Sequence, residues 1–282
     1  MKIGSWAYVP GSPSKSVHDW GCVFGGFSES AATPIHRLEL PAAATVIILC
    51  CGEPITLKPA LTLGSTTRLS AFCAGLQIQA QCVAHAGIND CVEIRLPPLA
   101  SYAMFGGVVT EVHSAPINLF DIAPQQTGVL LDRLSSTGSW QGRLAAVDNF
   151  LARGFAESTR RIPAELSWAW QTLERSHGQT SIAAVARAVG WSERHLVNRF
   201  VAYFGVRPKA LARRLRFSHA YNLVAAPAGL DFSTIAVEVG YSDQSHMIRE
   251  FQSFSGLTPA ALRVARFNDD LPGIPAAAIL QR

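Results

Sequence analysis

Two stretches of this 282-residue chain repeat one another, and the repeat limits the fold more than any other feature. Val185-Ala186-Arg187-Ala188-Val189-Gly190-Trp191-Ser192 matches Ile235-Ala236-Val237-Glu238-Val239-Gly240-Tyr241-Ser242 at an offset of fifty residues. Downstream the offset becomes fifty-one, pairing Leu196 with Met247, Phe200 with Phe251, Gly205 with Gly256 and Pro208 with Pro259. A pattern shared over this length implies two copies of one supersecondary unit. In each copy a short helix carries a small Ala where a second helix must approach. Gly190 and Gly240 supply the positive φ that ends a helix in a tight turn. Trp191 and Tyr241 plug the corner, and Ser192, with Ser242 or Asp243 in the second copy, caps the next helix. That helix buries Leu196 and Phe200, or Met247 and Phe251, at i, i+4 spacing. Each copy therefore reads as a helix-turn-helix.

A second helix with one buried and one polar face can present its first turns to a major groove. One long helical segment, Pro208 to about Ala226, joins the copies and ends at Pro227-Ala228-Gly229. At about 1.5 Å per residue it spans nearly 30 Å, close to the ~34 Å turn of double-helical DNA. Arg213, Arg214 and Arg216 on it are expected near the backbone or a domain interface. Charge agrees with this placement. Residues 1–150 hold 8 Lys and Arg against 10 Asp and Glu, whereas residues 151–282 hold 16 against 10, and 15 of those 16 are Arg. A polyanion is thus expected at the C-terminal half, where planar guanidinium forks suit phosphates and guanine edges.

The N-terminal half reads differently. Short apolar runs at Val46–Cys51, Ile55–Leu57, Leu76–Ile78, Cys91–Leu96 and Gly107–Val112 predict strands, punctuated by Gly25-Gly26, Gly52 and Gly87. Such spacing predicts a β-rich domain, a small barrel or sandwich, in which Trp6, Trp20, Phe24, Phe27 and Phe72 either fill the core or line a site for a small hydrophobic effector. All six cysteines lie here, without C-x-x-C or zinc-finger spacing, and read as reduced core thiols. His18, His36, His85 and His113 lack the spacing of a metal site, and His195 and His246 each stand alone, so no metal is expected. There is no signal peptide pattern and no apolar run of the ~20 residues that span a bilayer. A cytoplasmic location without membrane contact is the expectation.

The segment Gly240-Tyr241-Ser242-Asp243-Gln244-Ser245-His246-Met247-Ile248-Arg249-Glu250-Phe251, followed by Gly256-Leu257-Thr258-Pro259 and Leu262-Arg263, resembles the signature of AraC/XylS-type transcription regulators. The first copy and the connector from Arg213 to Leu223 fit the same register, and the resemblance covers about residues 170–267. It implies seven helices, two helix-turn-helix units, promoter binding and activation through contact with RNA polymerase. By position, it places Arg194, Val197 and Asn198 of the first unit and Gln244, Ser245 and Arg249 of the second in the groove. Many members carry Arg where this chain has Asn198, followed here by Arg199, so two roles stay open: Asn198 on a base, or Arg199 toward the phosphates. Val92–Ala100, Phe105-Gly106 and Asn118-Leu119-Phe120-Asp121 resemble the N-terminal domain of one AraC-like subgroup.

The expected fold class is therefore α+β: a β-rich sensing domain over 1–125, a helical linker or dimerisation segment over 126–165, an all-α DNA-binding domain over 166–268 whose two helix-turn-helix units are joined by a long helix, and a loose tail over 269–282. The expected function is sequence-specific promoter regulation, with double-stranded DNA, RNA polymerase, a small-molecule effector and a second copy of the chain as partners, and no cofactor. The Pro-Cys-His-Arg nucleophile of the methyl transferases fused to some relatives is absent, as are G-x-S-x-G and P-loop patterns; no enzymatic activity is expected. The competing readings are an effector-independent architectural DNA binder and a cupin-like enzyme with a regulatory helical domain.

Overall fold

The computed structural model describes residues 4–32, 35–60, 65–76, 80–110, 116–226 and 229–267. The N-terminal part orders β1 (Gly4–Pro10), α1 (Lys15–His18), β2 (Val23–Ala31), β3 (Ile35–Glu39), β4 (Thr45–Cys50), β5 (Ile55–Pro59), β6 (Thr67–Leu69), β7 (Ala71–Ala74), β8 (Gln81–His85), β9 (Ile88–Leu96), α2 (Pro98–Phe105), β10 (Ile117–Asn118), α3 (Leu119–Ile122), α4 (Pro124–Ser136) and α5 (Trp140–Glu157). Its strands form two antiparallel sheets, a larger one in the order β1-β2-β9-β4-β7-β10 and a smaller one in the order β3-β8-β5-β6.

Strand alternation divides the larger sheet into two unlike faces. Ile47 and Leu49 of β4, with Val92, Ile94 and Leu96 of β9, are fully buried in a core completed by α4 and α5 through Leu130, Leu134, Val147 and Leu151. Trp20 joins this helical layer, stacked on Phe155 at 5.0 Å between centroids. The opposite face, carrying Cys50 and Cys91, meets Ile55 and Leu57 of the smaller sheet in a separate, smaller cluster. The helices of 126–165 thus share their core with the sheet.

Three expectations need correction. Gly25-Gly26 does not punctuate strands but lies within β2, where side chains close over it: a Cβ on Gly26 would sit 2.1 Å from the Trp140 ring. Gly107–Val112 is not a strand in its described part. Gly106, at φ 64°, ends α2, and Gly106–Thr110 winds into a 3-10 helix; residues 111 and 112 lie outside the described residues. In the Leu76–Ile78 run, Leu76 occupies a bend and is 1% exposed. It is apolar because it plugs into the C-terminal core, and residues 77 and 78 lie outside the described set, as does the tail from 268.

The C-terminal part contains seven helices among the described residues: α6 (Ala164–Arg175), α7 (Ile182–Ala188), α8 (Glu193–Phe204), α9 (Pro208–Val224), α10 (Phe232–Val239), α11 (Gln244–Ser255) and α12 (Pro259–Phe267). The repeat is visible in their caps. Ser181 and Asp231, again fifty residues apart, cap α7 and α10. Ser192 and Asp243 cap α8 and α11 by accepting from the His195 and His246 backbone N–H at 3.2 and 2.6 Å. Gly190 and Gly240 take φ 72° and 82° in the turns between the helices of each copy. The copies have separate cores, and α9 serves both: Leu211 and Leu215 pack with Trp170, Leu196 and Phe200, whereas Phe217 and Val224 pack with Met247 and Phe251. With 17 residues, α9 is about 25 Å long.

Candidate functional site

The second helices of the two copies present matching outer faces. Leu196 and Phe200 anchor α8, and Met247 and Phe251 anchor α11, each fully buried. That rotation leaves Arg194 and Asn198 exposed on α8 and Gln244, Ser245 and Arg249 exposed on α11, while Val197 is half-buried. Arg194 and Ser245 hold equivalent repeat positions, as do Asn198 and Arg249, so each helix offers an i, i+4 pair from its first turns. The His246 backbone N–H, chiefly, holds the Asp243 carboxyl below its usual range, so the cap on α11 stays charged further into acid. His195 and His246 pack edge-on against Trp191 and Tyr241 at 4.7 and 5.2 Å, and Nδ1 of His246 lies 3.2 Å from the Ser242 hydroxyl.

Some basic residues near these faces are held by the protein itself. Arg199 donates to the Tyr203 hydroxyl at 3.0 Å and lies 4.8 Å from that ring, and Tyr203 packs on Tyr102 of α2 at 4.5 Å. Arg213 forms a two-pronged pair with Glu250, at 3.0 and 2.7 Å, which ties α9 to α11. Arg214 is 1% exposed, its guanidinium pushed down to about 10 by burial first and by neighbouring Arg213 second. The Arg213 side chain stays 40% exposed despite its pair with Glu250, and Arg216 is half-buried.

The N-terminal part contributes a cavity of about 820 Å³, closed on one side by α9 and α12. Trp6, Phe27 and Phe72 line it, one of the two roles the sequence left open, whereas Phe24, though it touches the cavity, is buried in the helical core with Trp20. Two polar pairs that no motif announced also face it. Glu29 and His85, each with a side chain 2% exposed, meet at 2.7 Å and join the two sheets. Glu93 pairs with Arg95 on the same strand. Their signal was the alternation of β9, whose Asn89, Cys91, Glu93 and Arg95 oppose the apolar Val92, Ile94 and Leu96. From the helical side come Phe217, Ser218, Tyr221 and Asn222 of α9 and Leu262 of α12. The domains also touch through the Ala80 N–H, which donates to the Phe254 carbonyl at 3.2 Å, and through Leu40 against the second core.

Four of the six thiols are buried, and burial pushes those of Cys22 and Cys73 up to about 12; Cys82 is exposed. Among the described residues no group of three His, Cys, Asp or Glu is placed to hold a metal ion, and no helix is long and apolar enough to cross a membrane.

A family model described as a helix-turn-helix domain matches residues 185–265. Among solved structures, the chain is similar to a transcriptional regulator with an AraC-type DNA-binding domain from Chromobacterium violaceum, at 25% identity over 39% of this chain and 95% of that one, with a TM-score of 0.34. ToxT from Vibrio cholerae is 12% identical over 89% of this chain and 99% of its own, with a TM-score of 0.47. The C-terminal domain of AraT, a response regulator from Geobacillus stearothermophilus, is 21% identical over 41% and 93%, with a TM-score of 0.36. No curated protein sequence matches.

Proposed function

From the helix-turn-helix domain of the AraC type that residues 185–265 form, we propose that this chain is a sequence-specific transcription regulator that reads two successive major grooves of promoter DNA. The observation that carries this reading is the pair of equivalent outer faces on α8 and α11. Arg194 and Asn198 on one, and Gln244, Ser245 and Arg249 on the other, are all exposed, with Val197 at the edge able to touch a thymine methyl. Arg forks match guanine, and Asn and Gln match adenine. Phosphate contacts from the remaining exposed Arg side chains and helix N-termini supply the salt-sensitive part of the affinity.

The reading extends to activation through RNA polymerase, to control by a small effector in the interdomain cavity, and to self-association through the α4–α5 layer, where Val129 is 69% exposed. An effector touching both domains favours whichever arrangement it binds more tightly, and so shifts DNA occupancy. The test is capture of fragmented genomic DNA by the purified full chain at moderate salt, followed by sequencing. A few promoter sites sharing two short motifs about one helical turn apart are expected. Recovery blind to sequence, with bending of arbitrary DNA, would overturn the regulator in favour of an architectural binder.

A further inference from the structure

Two thiols far from the DNA-reading faces meet across a strand pair. Cys50 of β4 and Cys91 of β9 are register partners, and both belong to the cluster between the larger and the smaller sheet. One backbone hydrogen bond fixes how closely they approach. The Cys51 N–H donates to the Asp90 carbonyl at 2.7 Å, so the next rung, Cys50 with Cys91, is a non-hydrogen-bonded pair. At such a rung the Cα atoms stand about 4.5 Å apart and the side chains lie close together, within the ~4.4–6.8 Å that a disulfide spans. None of the other four cysteines faces a cysteine across a strand pair. Cys51, although next in the chain, turns to the opposite face and packs on the helical core.

The surroundings make the two sulfurs unequal. A hydrogen bond from Cys91 holds the Cys50 thiol below its usual range, outweighing burial with help from the Ile55 backbone and Asn89. Burial, chiefly, pushes the Cys91 thiol well up. Cys50 is therefore the better nucleophile, and Cys91 the thiol that keeps its proton. Asn89, two residues from Cys91 on the same face, is 2% exposed, yet its amide nitrogen and oxygen have no hydrogen-bond partner while the thiols are neutral. Buried amides rarely stand so, and a sulfur anion on Cys50 gives that nitrogen an acceptor. Ile55, Leu57 and Phe72 pack on the pair and also line the interdomain cavity, which leaves the thiols one layer behind its wall. Only a very small oxidant fits past that layer.

We propose that Cys50 and Cys91 form a redox-sensitive site, which hydrogen peroxide closes into a cross-strand disulfide. The Cys50 sulfur attacks one peroxide oxygen: an S–O bond forms, the O–O bond breaks, and hydroxide leaves as water with the proton that Cys50 released. The Cys91 sulfur then attacks the sulfenic acid on Cys50. The S–S bond forms, the S–O bond breaks, and the hydroxyl leaves with the Cys91 proton as a second water. The thiols give up two electrons and peroxide takes them. The new bond locks β4 to β9 beside the Ile48–Glu93 rung, whose side chains line the cavity.

The test uses the full chain carrying Cys82→Ser, so that the exposed thiol cannot join two molecules. Reduced protein is treated with hydrogen peroxide at neutral pH, and digests are mapped by mass spectrometry without reductant. The expected result is the loss of two hydrogen atoms from the intact mass, a Cys50–Cys91 crosslink as the dominant disulfide, and slower hydrogen exchange in β4 and β9, all reversed by dithiothreitol. Cys91→Ser should stop the reaction at Cys50, where dimedone captures the sulfenic acid, and Cys50→Ser should lose both products. The chain with both thiols intact carries the decision even if either variant fails to fold. Thiols that stay reduced in the folded chain, or a disulfide formed as readily between other cysteines, would overturn the site. A crosslink that left exchange unchanged would overturn its effect on the sheet.

Discussion

Gln244 and Arg249 lie on the solvent face of α11, two turns that Met247 and Phe251 pin from beneath. Arg199 lies on α8 one position beyond Asn198, yet its guanidinium is held on Tyr203, beside Tyr102 of the N-terminal part. These placements give the residues different expected phenotypes. Arg249→Ala and Gln244→Ala should each weaken binding to the cognate site by about 1–3 kcal/mol, with little change on unrelated DNA, measured by fluorescence anisotropy on both. Arg199→Ala should spare discrimination between the two. Equal losses on all sequences from Arg249→Ala would move that residue to the phosphates. The sequence offered both Asn198 and Arg199 without a means of choosing. Neighbouring helix positions point about 100° apart, and only the packing of Tyr203 on α2 shows where the second one goes.

Among the elements, α9 has the most demanding surroundings, because one helix must fit two cores and an ion pair. The turn between α6 and α7 presses on it closely. Gly178 has φ 74°, and a Cβ there would lie 2.1 Å from the Ala212 carbonyl oxygen of α9. Backbone cannot swing aside as a side-chain tip can, and a side chain is strained in that left-handed conformation as well. Gly178→Ala should therefore destabilise the helical part by at least the ~1–3 kcal/mol typical of overpacking, seen as faster hydrogen exchange in α7 and α9. Gly52→Ala, where a Cβ meets nothing within 4 Å, is the matched control and should leave exchange unchanged. The helices themselves were legible from i, i+4 spacing, turn glycines and caps, all of which are local. The Ser181 and Asp231 caps carried the same signal, a capping residue directly before an apolar turn. By contrast, β1, β2 and β8 mix polar and apolar residues, and Gly25-Gly26 reads as a break until Tyr8 and Trp140 are seen to cover it.

At the scale of the whole molecule, the two parts are docked rather than merely tethered. Leu76 extends from the strand domain into the core built by Trp170 and Phe204, and the cavity is completed by α9 and α12. Leu76→Ala removes a fully buried side chain, a change that typically costs about 2–5 kcal/mol. Here the loss should fall on docking: the variant is expected to show a larger radius of gyration in solution scattering and earlier proteolysis between the domains, while each part keeps its helical or strand content. Unchanged scattering and proteolysis would mean that docking does not depend on this contact.

The sequence by itself determined the double helix-turn-helix unit, its connector and the outward faces of α8 and α11. Each rests on contacts between residues a few positions apart, and the repeat states them twice. Only the tertiary structure decided which face of β4 and β9 meets the helices, where Leu76 goes, and that Glu29, His85, Glu93 and Arg95 converge on one cavity. Those outcomes depend on strands that pair across long stretches of chain, and a strand of period two looks the same from either side until its partners are in place.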